Sequence, residues 1–89
     1  MAHTVEDLVE MQRAADRAHA QVEALRTQYG PPTVAPWSEQ QTDTYETAWR
    51  SWRDLARDVQ AAVTEHARTE GQPWAGVEAT VKATARHPA

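Results

Sequence analysis

Few residues of this 89-residue chain have the types and spacing that chemistry needs. There are four histidines and no cysteine, which removes disulfide staples, thiolate zinc sites and cysteine nucleophiles together. His3 and His66 are expected at one end of the fold, where two imidazoles could share a metal. No carboxylate stands at ligand spacing with them, so both read as solvent-facing or helix-end residues. His19 lies near the tryptophans and reads as a packed side chain rather than a base. Arg50, Arg53 and Arg57 recur at spacings of three and four on one helical face, an arrangement that can grip carboxylates or phosphates. Glu46 precedes Arg50 by four, and Asp54 and Asp58 interleave, so the row reads first as a self-compensated, solvated face. Ser38 and Ser51 are the only serines, and there is no nucleophile elbow, Gly-rich phosphate loop or H-E-x-x-H motif. These residues point to a non-enzymatic protein with no cofactor and no metal.

Residues 67–81, ARTEGQPWAGVEATV, carry a sharper candidate. Ala67, Gly71 and Val77 match a small residue, a glycine four later and an aliphatic six beyond, and Val81 can close a core. Over about twenty residues this resembles helix-turn-helix regulators. The resemblance implies a second helix that presents Gln72, Trp74, Ala75, Glu78 and Lys82 to a DNA groove, with Arg86 one turn further on. The same letters also describe a helix, a glycine cap and another helix. Glu70 and Glu78 would oppose phosphates, whose neutralisation supplies most non-specific affinity, so a DNA-associated regulator is the alternative and not the leading reading. Small all-helical chorismate mutases share this length, but they need arginines and a lysine converging on a dicarboxylate, and the single lysine here, Lys82, is near the end. Secreted actinobacterial helical hairpins carry W-x-G in the interhelical turn, whereas Trp74–Gly76 follows the second helix. The phrases AVTEHA and VEATVKATARHP resemble small helical proteins of high-GC actinobacteria and their mobile elements, a likeness that covers the second half and implies no activity.

The formal charge is −4 and the pI near 5.4, which argues against a general electrostatic grip on nucleic acid or anionic lipid. Residues 1–29 carry three arginines against five acids, and residues 38–70 four against seven. Residues 71–89 reverse the sign, with Lys82 and Arg86 against Glu78. No apolar run approaches the ~18–20 residues of a membrane span, and the acidic start lacks a signal-peptide pattern. The chain is expected to be soluble and cytoplasmic, with no membrane partner and no evident small-molecule substrate.

These residues must be positioned by helices. Thr4 with Asp7 forms a capping-box pattern, and Leu8, Met11, Ala15, Ala18, Val22, Leu25 and Tyr29 recur at alternating three and four. Gly30, Pro31 and Pro32 stop this helix. Ser38 with Gln41 starts a second, whose seam runs Tyr45, Trp49, Trp52, Ala56, Val59, Val63 and His66, with Ala48, Leu55 and Ala62 beside it. Gly71 ends it, and Pro73 suits the first turn of a third helix edged by Trp74, Val77, Val81 and Ala85. Gly76 weakens that helix by ~1 kcal/mol relative to alanine. The predicted fold is one all-α domain over 1–89: a long antiparallel hairpin of helices at 4–29 and 38–70, a proline-rich loop at 30–37, and a short third helix at 73–86.

With Tyr29 level with Ser38, the hairpin places Trp49 opposite Ala18, Trp52 opposite Ala15 and Tyr45 opposite Val22. Large side chains then meet small ones, as close packing requires. On this register the indoles are core anchors, and truncating either costs ~3–5 kcal/mol. Trp37 is expected to fold over the hairpin tip, or to anchor a partner. The second helix outruns the first, leaving an apolar side to be covered by the third helix or by a second chain. Leu55, Ala62, Val63, Trp74, Val77 and Val81, with Val5 and Val9, are the residues left over for contact. The leading expectation is a helical protein-protein interaction or assembly module that forms a homodimer.

Overall fold

In the computed structural model, which describes residues 3–87, the chain forms three helices: α1 (Val5–Tyr29), α2 (Glu39–Glu70) and α3 (Trp74–Arg86). The architecture is the all-α hairpin with a short third helix that the periodicity predicts. No helix among the described residues is long and apolar enough to cross a membrane.

Local chemistry fixes the helix ends. The Asp7 amide donates to Thr4 Oγ1 and the Thr4 amide donates to Asp7 Oδ2, both at 3.1 Å. Ser38 and Gln41 repeat the reciprocal pair at 3.1 and 2.9 Å. Each box satisfies two backbone donors that a helix start otherwise leaves orphaned. α2 stops in a Schellman turn. Gly71 is left-handed at φ 63°, and the Gln72 amide reaches back to the Ala67 carbonyl at 2.9 Å. Pro73 stands just before α3 and not inside its first turn: its backbone is extended and its carbonyl accepts the Val77 amide.

α3 folds back along the hairpin. The Trp74 indole donates to Thr64 Oγ1 at 3.0 Å, and Gln60 donates to Glu78 at 3.1 Å, so α3 runs antiparallel to α2. Arg13 of α1 reaches the carbonyls of Thr84 and His87 at 3.5 and 3.2 Å. The core therefore sits at the end away from the proline loop. Leu8, Val9 and Ala15 of α1, Val59, Ala62, Val63 and Ala67 of α2, and Val77 and Val81 of α3 form one cluster. Met11, Leu55 and Ala85 pack against it half-buried. Val22 and Leu25 are buried further along α1, so that seam is inward over its whole length.

The role of the indoles differs from expectation. Trp52 meets His19, with ring centroids 4.6 Å apart, four residues beyond Ala15. Tyr45 accepts a hydrogen bond from Arg26 at 3.2 Å, four residues beyond Val22. Both α2 rings reach toward the loop, as side chains that lean to their own helix N-terminus do. Trp37 wedges between Tyr29 and Tyr45, at 5.5 and 5.0 Å, and its indole donates to the Gly30 carbonyl at 2.8 Å. Trp49 is not a core anchor: it is 37% exposed, while Trp52 is half-buried. The interior is built from valine, leucine and alanine instead.

Two outcomes follow from this placement. Leu8→Ala, at a side chain with no exposure, lowers stability by about 2–5 kcal/mol. Trp49→Ala lowers it by only about 1 kcal/mol, a contrast read directly from urea midpoints at constant slope. The second concerns acid. The Thr4 backbone hydrogen bond, followed by the Thr4 hydroxyl, holds the Asp7 carboxyl below its ordinary value of 3.8. Its contribution is complete above that value and is lost as pH falls through the lower folded one. Amide protection at the start of α1, taken relative to the intrinsic exchange rate at each pH, therefore falls below about pH 4, and Asp7→Asn flattens that dependence.

Candidate interaction site

One apolar opening lies where the start of α1 meets the turn between α2 and α3. Val5, Pro73, Gly76, Val77 and Thr80 line a groove of about 260 Å³, with His66, Gln72 and Val81 completing it. Val5 is 42% exposed at its edge. A Cβ built on Gly76 meets nothing within 4 Å, so the groove is open directly above the α3 backbone. Beyond Val5 the seam between α1 and α3 continues past Val9 and Thr84, rimmed by Glu6, Glu10 and Arg13. Arg13 is itself tied to Glu10 at 2.9 Å.

His66 departs from its expected place at the surface. It is only 7% exposed, and its Nδ1 lies 2.9 Å from the His3 carbonyl. A carbonyl can only accept, so Nδ1 carries the proton and donates. This bond fastens the residue before the Thr4 cap to the last turns of α2. The two histidines do meet, through one ring and one backbone oxygen and not through two rings. Among the described residues no group of three or more histidines, aspartates or glutamates is placed to hold a metal.

Other predicted residues divide. Ala62, Val63, Val77 and Val81, expected to be left over for a partner, are buried against one another inside the chain because α3 covers that side of the hairpin. Leu55 is half-buried beside them. Trp74 remains 40% exposed, but on the α2 side, where Thr64 holds it. Of the set expected to face DNA, Trp74, Glu78, Lys82 and Arg86 recur every four residues along α3. Gln72 lines the apolar groove, whereas Lys82 and Arg86 line a cleft with Asp16 and Trp52. Lys82 also pairs with Glu78 at 3.5 Å.

The arginine row is self-compensated. Arg50 pairs with Glu46 at 3.4 Å, Arg57 with Asp54 at 3.3 Å and Arg53 with Asp54 at 3.7 Å, all on the surface. Arg53 additionally lies 5.1 Å from the Trp49 ring centre, a cation–π contact on the partly exposed indole. At the tip, the hydrogen bond to Tyr45 raises the already high Arg26 pKa further. Comparison with protein families, curated proteins and solved structures finds no match to this chain.

Sequence reasoning missed the groove. Gly76 reads as a weak point in α3, and only the folded chain reveals that it is also a hole. Gly76→Ala should therefore gain helix propensity with no clash, raising stability by about 0.5–1 kcal/mol. Thermal unfolding at low protein concentration checks this.

Proposed function

We propose that the chain is a non-enzymatic helical assembly module that associates with a second copy of itself through the groove at Gly76. The observation that carries this reading is the pairing of a protruding apolar side chain, Val5, with an unfilled apolar hole over Gly76 on one patch. A two-fold dimer requires such self-complementarity, because each copy supplies both the knob and the hole. A heterologous partner would need only one of them.

Size supports the same reading. A chain of 89 residues buries a modest share of its surface, and the largest fully buried side chains here are Leu8 and four valines. Self-association adds burial that the monomer lacks. The cysteine-free composition suits a cytoplasmic setting.

Sedimentation equilibrium tests the proposal. The native chain is expected to be a dimer at micromolar concentration, with a melting temperature that rises with concentration. Gly76→Lys fills the hole with a charged side chain while improving α3 propensity, so it should yield a folded monomer with unchanged helicity. A native chain that stays monomeric to near-millimolar concentration, or a Gly76→Lys variant that dimerises normally, refutes it.

A further inference from the structure

α3 covers only part of the hairpin. Its 13 residues span about 20 Å, whereas the 32 residues of α2 span about 48 Å. Where α3 stops, the groove between α1 and α2 is floored by Trp52, whose ring leans on His19 at 4.6 Å. Gln12 and Asp16 form the α1 wall of a cleft of about 240 Å³, and Lys82 and Arg86 form the α3 wall. This cleft is distinct from the Gly76 groove and shares no lining residue with it.

The chemistry of the cleft is asymmetric. Two cationic side chains, Lys82 and Arg86, line it against one carboxylate, Asp16, in a chain whose net charge is −4. The floor is an indole that is neither fully buried nor free in solvent. On the opposite wall the Gln12 amide donates to Asp16 Oδ1 at 2.9 Å, which fixes that carboxylate in place with its other oxygen still able to accept. A flat apolar floor, cations on one wall and an oriented acceptor on the other define a ligand in outline.

We propose that this cleft binds a small heteroaromatic monocarboxylate. Its ring stacks on the Trp52 indole, its carboxylate accepts hydrogen bonds from Lys82 and Arg86, and a ring N–H donates to Asp16. The volume accommodates one or two fused rings but is tight for a nucleotide. Asp16 and Glu78, which already pairs with Lys82 at 3.5 Å, both oppose a second negative charge, so a carboxylate fits better than a phosphate.

Titration of the full chain with indoleacetate, followed by amide and indole NMR shifts, is the test. Saturable shifts at the Trp52 indole N–H, His19 and Lys82 are expected, with Kd on the order of 0.1–1 mM for so open a site. Indoleacetamide, the neutral counterpart, should bind at least tenfold more weakly, and adenosine monophosphate more weakly than indoleacetate. The double variant Lys82→Ala/Arg86→Ala should keep its helicity and lose at least tenfold in affinity. Gly76→Lys should bind as the native chain does, which separates this cleft from self-association. Equal affinity for acid and amide, tighter binding of the nucleotide, undiminished binding by the double variant, or shifts confined to other residues each overturn the assignment.

Discussion

Val63 and Val81, each 1% exposed, belong to one cluster at the end of the hairpin where three helices converge, and the rest of the architecture depends on that burial. Two helices alone cannot enclose a side chain all round, since each contributes one stripe. α3 closes the third side, and it reaches there because the Gly71 turn reverses the chain within Gly71, Gln72 and Pro73. The turn must be tight and left-handed, which glycine adopts without a steric cost. Everything distinctive about the surface follows from α3 being short. Where it lies, the hairpin has a dry core. Where it ends, Trp52 floors an open cleft, and its own glycine leaves the hole beside Val5.

The other half of the hairpin is held by different means. Tyr29, Trp37 and Tyr45 form a continuous aromatic contact over the tip, and His19, Trp52 and Trp49 form another along the flank. Indoles and phenols suit such positions because one edge can pack while the other meets water or a polar partner. Trp37 donates to Gly30, and Tyr45 accepts from Arg26, so two of these rings also carry a polar bond. Aliphatic side chains in the same places would gain burial but no orientation. The molecule thus has an aliphatic end enclosed by three helices and an aromatic end enclosed by two helices and a loop.

Which features were legible in the sequence follows from how local their causes are. The capping boxes at Thr4 and Ser38, the stop at Gly30 and the turn at Gly71 each depend on residues within five positions, and all four form as their letters indicate. The α1 seam was legible too, because one face of a regular helix is fixed by periodicity alone. α2 shows where position and residue type conflict. His66 occupies a seam position and Trp49 occupies another, yet the histidine is buried and the tryptophan is partly exposed. The histidine has a carbonyl to satisfy its ring, and the tryptophan has Arg53 to cover its face. The first partner cannot be assigned from spacing, because it is 63 residues away, whereas the second stands four residues along the same helix.

The candidate sites were illegible for a further physical reason, which is that each is defined by what a neighbouring helix fails to cover. Lys82 and Arg86 stand out because they make residues 71–89 net positive in an acidic chain, but their meaning changes once Trp52 and Asp16 line the same cleft. An arginine–lysine pair on a free helix attracts any anion, and its natural partner is a polyanion such as DNA. The same pair beside an indole and a carboxylate is the basis on which a flat ring with a single charge is proposed as its ligand. Gly76 changes in the same way. On an isolated helix it costs stability without compensation. Beside an exposed Val5 it leaves the depression that a second copy of the same valine would enter. Both sites are therefore properties of helix packing, and both lie at the margins of α3, the element whose sequence is least helical and whose length is least determined by the hairpin itself.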